Sequence, residues 1–287
     1  MSKLLSLQEP FIVWLQSLFH PQADSIFEFI THIGGMSNSL FIWGFFIWCV
    51  SYSFGCRLVL LWLISSYMAL GLKGLVASPR PFQASSAVIP IHSERGFGFP
   101  SGHSTGAMIT WGYWAVFEKK KFVIALAALF IFLIGLSRIY LGVHYPIDVI
   151  GGWVLGGVNI CILVKLTPHL EQFFSRRDIF GKIIIILLGA AIILAVIYQF
   201  APPGAVSRWI ATSFIFYLSV CLGWLFQNHF VKFDVSGWWL QKILRFLIGG
   251  AVLFCLMHFS RKGFLFYSSA GLWLTLGAPA LFKALRL

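Results

Sequence analysis

The stretches KGLVASPRP (73–81), PSGH (100–103) and SRIYLGVHYPID (137–148) set three polar clusters into a sequence that is otherwise apolar. Their flanks decide the fold. Apolar runs of about twenty residues precede the first cluster, separate the second from the third and follow the last, the length a bilayer core demands of a helix. The chain of 287 residues is 59% hydrophobic, 17% aromatic and 10% charged, against about 25% charged in soluble domains. Mean hydropathy is +0.87. So little polar surface cannot coat a domain in water, so lipid is the solvent. There, only helices and closed barrels satisfy their own backbone. Long unbroken runs, rather than alternation, select helices. The expected fold class is all-α, a polytopic transmembrane helical bundle.

Nine spans are expected, at about 37–55, 58–77, 101–118, 122–141, 148–166, 183–200, 208–228, 242–259 and 264–282. Residues 1–36 read as an interfacial amphipathic segment, with Phe11, Trp14, Leu15, Leu18 and Phe19 near one helical face. Residues 37–166 then form a core of five spans that contains all three clusters, and 167–287 add about four more. The loop 78–99 carries Pro79, Pro81, Pro90, Gly96 and Gly98 and reads as a connector or as a rim over a site. Pro202-Pro203-Gly204 predicts a turn, and Trp238-Trp239 an interfacial anchor.

The net charge of +12 follows the bias of lysine and arginine toward cytoplasmic loops, and it attracts anionic lipid headgroups. With the N-terminus on the non-cytoplasmic side, cytoplasmic ends hold 13 of the 21 cations, anchored by Lys119, Lys120 and Lys121. Lys73, Arg80 and Arg138 are three of the remaining eight. On this count all three polar clusters face the non-cytoplasmic side. The scattering of cations between apolar runs excludes a nucleic-acid surface. Cys49, Cys56, Cys161, Cys221 and Cys255 form no CxxC pair and read as small apolar fillers.

Each cluster carries chemistry. Ionisable groups at membrane depth are costly and mark function. Lys73, Arg80 and Arg138, at matching span ends, repel one another unless an anion lies among them, and arginine grips phosphate with two parallel hydrogen bonds. Ser101 has the form of a helix N-cap, where free N–H groups and the helix dipole favour an anion. Gly102 lets backbone approach a ligand closely, and His103 in that first turn is a proton donor. Pro146 keeps His144 out of regular helix and puts Asp148 near the first turn of the next span. From there the carboxylate can accept from one ring nitrogen and leave the other as an oriented nucleophile or base.

Lys73-x6-Arg80-Pro81, Pro100-Ser-Gly-His103 and Ser137-Arg138-x5-His144-x3-Asp148 resemble the three signature motifs of the type 2 phosphatidic acid phosphatase superfamily. That superfamily also contains vanadium haloperoxidases and glucose-6-phosphatase. The layout of nine spans is more similar to its glucose-6-phosphatase and sphingosine-phosphate phosphatase branch than to its six-span bacterial members. The resemblance implies that His144 attacks phosphorus and becomes a phosphohistidine. It implies that Asp148 orients His144 and that His103 protonates the leaving oxygen. Lys73, Arg80 and Arg138 would hold the phosphoryl oxygens, with Ser101 and Gly102 completing the cradle. No metal or other cofactor is implied, and Asp148 is the one acid within the motifs.

The expected activity is hydrolysis of a lipid phosphate or pyrophosphate at the non-cytoplasmic face. The rivals are a phosphatase for a soluble sugar phosphate, a lipid phosphotransferase and a transporter of anionic substrate. The expected partners are a phosphorylated lipid and the surrounding membrane lipids, and nothing in the sequence sets an oligomeric state. The expected location is a bacterial inner membrane with the site facing the periplasm or exterior, or the endoplasmic reticulum with a lumenal site in a eukaryote.

Overall fold

The computed structural model describes residues 2–200, 208–259 and 263–287. The turn expected at Pro202-Pro203-Gly204 lies outside them. Every regular element among the described residues is a helix. Seven helices are long and apolar enough to cross a membrane, and they fall on seven of the nine expected spans. The other two expectations are also helical but shorter. The span expected over 37–55 is the helix Met36–Phe45 continued by the π turn Phe46–Val50. It stops at Ser51, whose extended backbone (φ −160°, ψ 123°) breaks the helix before Tyr52–Val76 begins. The span expected over 101–118 is Gly102–Glu118, one continuous helix with a π turn at Met108–Gly112.

The described chain divides into two compact units, one of residues 1–38 and 64–164 and the other of residues 39–63 and 165–287. In the first, the helices Glu9–Phe19 and Asp24–Ile33 lie on the end of Lys121–Tyr140 and the turn beyond it. Their shared core holds Ile12, Leu15, Phe27, Val88, Tyr140, Val143, Tyr145 and Val149. Phe27 stacks on Tyr140 with ring centroids 4.1 Å apart, an arrangement worth about 0.5–1.5 kcal/mol beyond burial. The Tyr140 hydroxyl donates to Asp24 Oδ1 at 2.5 Å. Phe11, Trp14, Leu18 and Phe19 stay exposed, the apolar face of an interfacial helix. Leu15, expected on that face, is buried with Ile12.

The second unit is built around Trp48. Its Nε1 donates to Leu274 O at 2.9 Å, and Tyr52 Oη donates to Thr275 O at 2.6 Å. Both acceptors belong to the π turn Trp273–Gly277, where the wider backbone loop leaves carbonyls available to side chains. Elsewhere the long helices present apolar side chains outward. Phe122, Val154, Ile192 and Leu265 are all at least 60% exposed, a cost in water that vanishes against lipid chains.

Candidate functional site

The first unit brings the three polar clusters to one end of its helices. Lys73 lies in the last turn of Tyr52–Val76, His103 in the first turn of Gly102–Glu118 and Arg138 in the last turn of Lys121–Tyr140. His144 stands in the short connection before Pro146–Ser175, and Asp148 in that helix's first turn. The connection is tight because the Arg138 carbonyl accepts from the N–H groups of both Val143 and His144, at 3.3 Å each. Gly142 makes the turn at φ +74°, and a Cβ there would lie 2.5 Å from Ile89 O. Only glycine meets both demands.

His144 and Asp148 are paired. Asp148 Oδ2 lies 3.3 Å from His144 Nδ1 and accepts the Tyr145 N–H at 2.9 Å. Both side chains are buried. His144 Nε2, the ring nitrogen left over, faces Arg80 Nη1 at 3.3 Å. Burial, together with the charges of Lys73, Arg138 and Arg80, holds the His144 imidazole well below its usual pKa. It is therefore neutral at physiological pH, the form in which a ring nitrogen keeps a free lone pair.

The cations are positioned by backbone carbonyls. Arg80 donates to Gly96 O at 2.9 Å, Val143 O at 2.9 Å and Arg95 O at 3.0 Å. Lys73 Nζ donates to Phe97 O at 2.8 Å and Gly98 O at 3.0 Å. The loop 78–99 thus supplies four of these five acceptors. Gly98 also lies against Asp148, since a Cβ on it would sit 2.9 Å from Asp148 Oδ2. Arg138 donates from Nη1 to Thr31 Oγ1 at 2.7 Å and from Nη2 to Glu94 Oε1 at 2.5 Å. Its Nε is buried with no partner among the described residues, as is Asp148 Oδ1.

At the start of Gly102–Glu118, the Ser101 hydroxyl is turned inward. It accepts from Ser104 N at 3.4 Å and Ser104 Oγ at 2.9 Å and is fully buried. Ser101 N donates to Asp148 O at 2.9 Å, which joins the helix start to the His144–Asp148 turn. Gly102 has open space where a side chain would be. His103 shares the field of Arg138, Lys73 and Arg80 with His144.

Three contributors escaped sequence reasoning. Glu94 bridges two motif arginines, with Oε1 on Arg138 and Oε2 3.7 Å from Arg80 Nη2. Thr31 reaches Arg138 from the N-terminal segment. Gln16 ties the loop down, donating to Ile89 O and Tyr140 O at 2.8 Å each and accepting from Ile89 N at 3.0 Å. Glu94 is the one acid between residues 78 and 99, which was a usable signal. Thr31 and Gln16 carried none, because their partners are far away in sequence.

The geometry is a buried His–Asp pair ringed by cations, at the helix ends of a bundle with a largely apolar exterior. Comparison with known proteins gives that geometry its family. Residues 54–171 match the PAP2 superfamily model, and residues 212–287 match the PAP2 superfamily phosphatase transmembrane extension. The undecaprenyl-diphosphatase BcrC of Bacillus subtilis is 32% identical over 154 residues, which cover 52% of this chain and 78% of that protein. The chain belongs to the PAP2 superfamily. Rat sphingosine-1-phosphate phosphatase 1 is 25% identical over 179 residues, 60% of this chain but 40% of that protein's length. The crystal structure of a transmembrane PAP2-type phosphatidylglycerolphosphate phosphatase from Bacillus subtilis superposes with a TM-score of 0.50. It is 27% identical, covering 62% of this chain and 90% of that one.

Proposed function

We propose that the chain is a membrane phosphatase that removes phosphate from a lipid phosphate or pyrophosphate at the non-cytoplasmic face, through a phosphohistidine on His144. The observation that carries this reading is the His144 ring itself. One nitrogen is held by Asp148 and the other is directed at the arginine cluster. Lys73, Arg80 and Arg138 neutralise the phosphoryl oxygens, which is the main task of a phosphoryl-transfer site. Gly102 lends its N–H, while Ser101 holds the helix start in place from within. His144 Nε2 forms the bond to phosphorus as the bond to the lipid oxygen breaks, and His103 gives that oxygen its proton. Water, losing a proton to His103, then attacks phosphorus, breaks the P–N bond and frees phosphate. Asp148 stabilises the charged imidazole in both steps.

Glu94 holds the arginines while the site is empty and gives way to the phosphate dianion. Residues 37–166 carry the catalysis in this scheme, the segment 1–36 rims the site through Thr31, and 167–287 add spans. The lipid class follows from a site at helix ends surrounded by lipid-facing surface. The names of the relatives agree, since they include a sphingosine-1-phosphate phosphatase, an undecaprenyl-diphosphatase and a phosphatidylglycerolphosphate phosphatase. The test is phosphate release by the purified chain in detergent with a chelator present. Activity should persist, be blocked by vanadate and vanish in His144→Ala. Turnover surviving in His144→Ala would overturn the assignment of the nucleophile.

A further inference from the structure

The second unit contains a cavity of about 410 Å³ that the catalytic scheme does not use. Its wall includes Arg245, Lys232, Lys283 and Arg286, with Asp234 and Gln241 beside them. Arg245 is 1% exposed. Its Nη1 donates to Val235 O at 2.8 Å and Trp48 O at 3.4 Å, its Nη2 to Ser236 O at 2.6 Å, and its guanidinium lies 5.0 Å from the Phe233 ring centroid. These partners supply dipoles and a ring face but no negative charge. The Arg245 Nε is buried without a partner among the described residues. Asp234, in the same wall and hydrogen-bonded to Ser236, is a counter-charge to Arg245 but makes no ion-pair contact with it among the described residues.

A buried guanidinium whose one nearby carboxylate, Asp234, is out of ion-pair contact is costly. Adding three exposed cations around it raises that cost unless an anion enters. Lys283 Nζ donates to Val231 O, while the Lys232 and Arg286 side chains make no hydrogen bond among the described residues. The depth of the cavity is marked by its neighbours. Trp238 and Trp239, adjacent to it in the chain, are 60% and 64% exposed, and Phe230 is 65% exposed. Exposed tryptophan beside cations is the pattern of the headgroup layer of a bilayer.

We propose that this cavity binds the phosphate of an anionic phospholipid headgroup, with Arg245 as the buried contact and Lys232, Lys283 and Arg286 closing around it. The site takes a phosphodiester from the surrounding bilayer, and it is separate from the His144 site and independent of the activity assigned there. Arginine suits it because its planar fork meets two phosphate oxygens at once. A lipid phosphate there stabilises the folded chain by binding that form alone.

The experiment uses the full purified chain in phosphatidylcholine nanodiscs, with vanadate present to fill the His144 site. Thermal unfolding is followed as phosphatidylglycerol, more phosphatidylcholine or inorganic phosphate is added. Phosphatidylglycerol should raise the midpoint by about 3 °C at tenfold its Kd, and phosphatidylcholine should not. In the Lys232→Ala/Arg286→Ala variant the unliganded midpoint should stay in place and most of the phosphatidylglycerol shift should disappear. That variant also subtracts any binding at the His144 site. An undiminished shift in the variant, or an equal shift with phosphatidylcholine, would overturn the proposal. An equal shift from inorganic phosphate alone would assign the cavity to a soluble anion and overturn the lipid assignment.

Discussion

Glu94→Gln gives the sharpest test of how the proposed catalytic site is held. The Glu94 carboxylate lies 2.5 Å from one Arg138 nitrogen and 3.7 Å from one Arg80 nitrogen, the place the proposed mechanism gives to a phosphate oxygen. A phosphate therefore competes with it. A hydrogen bond between charged groups contributes about 1.5–3 kcal/mol net, against about 0.5–1.5 kcal/mol for a neutral one. The glutamine keeps the shape and a neutral bond, so the incoming anion is spared about 1–1.5 kcal/mol, the lower end because Glu94 is one-quarter exposed. At about 1.4 kcal/mol per tenfold, vanadate and inorganic phosphate should bind about five- to tenfold more tightly to the variant. Competitive inhibition constants in detergent micelles measure this directly. The empty variant should also unfold at lower temperature, since Arg80 and Arg138 lose their counter-charge. An inhibition constant that stays the same or weakens, in a folded variant, would show that Glu94 positions the arginines rather than standing in for the substrate's phosphate.

The remaining predictions concern parts of the same unit. Gly98→Ala places a methyl 2.9 Å from Asp148 Oδ2 and 3.3 Å from Pro79 O. Relief of that contact costs about 1–3 kcal/mol, so kcat should fall tenfold or more with a smaller change in the inhibition constant for phosphate. Gln16→Ala removes three hydrogen bonds that tie the 78–99 loop to the end of Lys121–Tyr140 and takes this partner from the buried Tyr140 carbonyl and the part-buried Ile89 N–H. Stability should drop by about 1–3 kcal/mol, and KM should rise more than kcat falls, as steady-state kinetics will show. His144 is held below its usual pKa by burial and then by Lys73, Arg138 and Arg80. Its neutral form therefore persists as pH falls through about 6.5, and activity declines only at the depressed pKa. The kcat/KM profile, corrected for the second ionisation of the substrate phosphate, should show its acid limb well below pH 6.5, and a limb at or above that value would refute the reading. The same shift makes the fold lose stability as pH drops below about 6.5, because the unfolded chain then takes up the proton that folded His144 refuses.

Much of the architecture was legible because lipid imposes one rule everywhere. Apolar runs near twenty residues become helices, and every expected span is helical. The break at Ser51 was not legible, since nothing in SYSFG (51–55) forbids helix. It depends on neighbours, with Trp48 and Tyr52 satisfying carbonyls of a distant π turn. The motif spacing brought Lys73, Arg80, His103, Arg138, His144 and Asp148 into one hypothesis because each sits at a span end. Pro146 alone placed His144 in a turn.

The sequence by itself determined the solvent and the helical class and singled out the polar residues proposed to hold and attack a phosphate, because hydropathy, span length and titratable type are local properties. The tertiary structure alone decided how those residues are held. Glu94, Thr31 and the carbonyls of residues 95–98 meet the motif side chains across separations of 15 to 107 residues. A hydrogen bond depends on distance and angle in space, and no spacing along the chain encodes either.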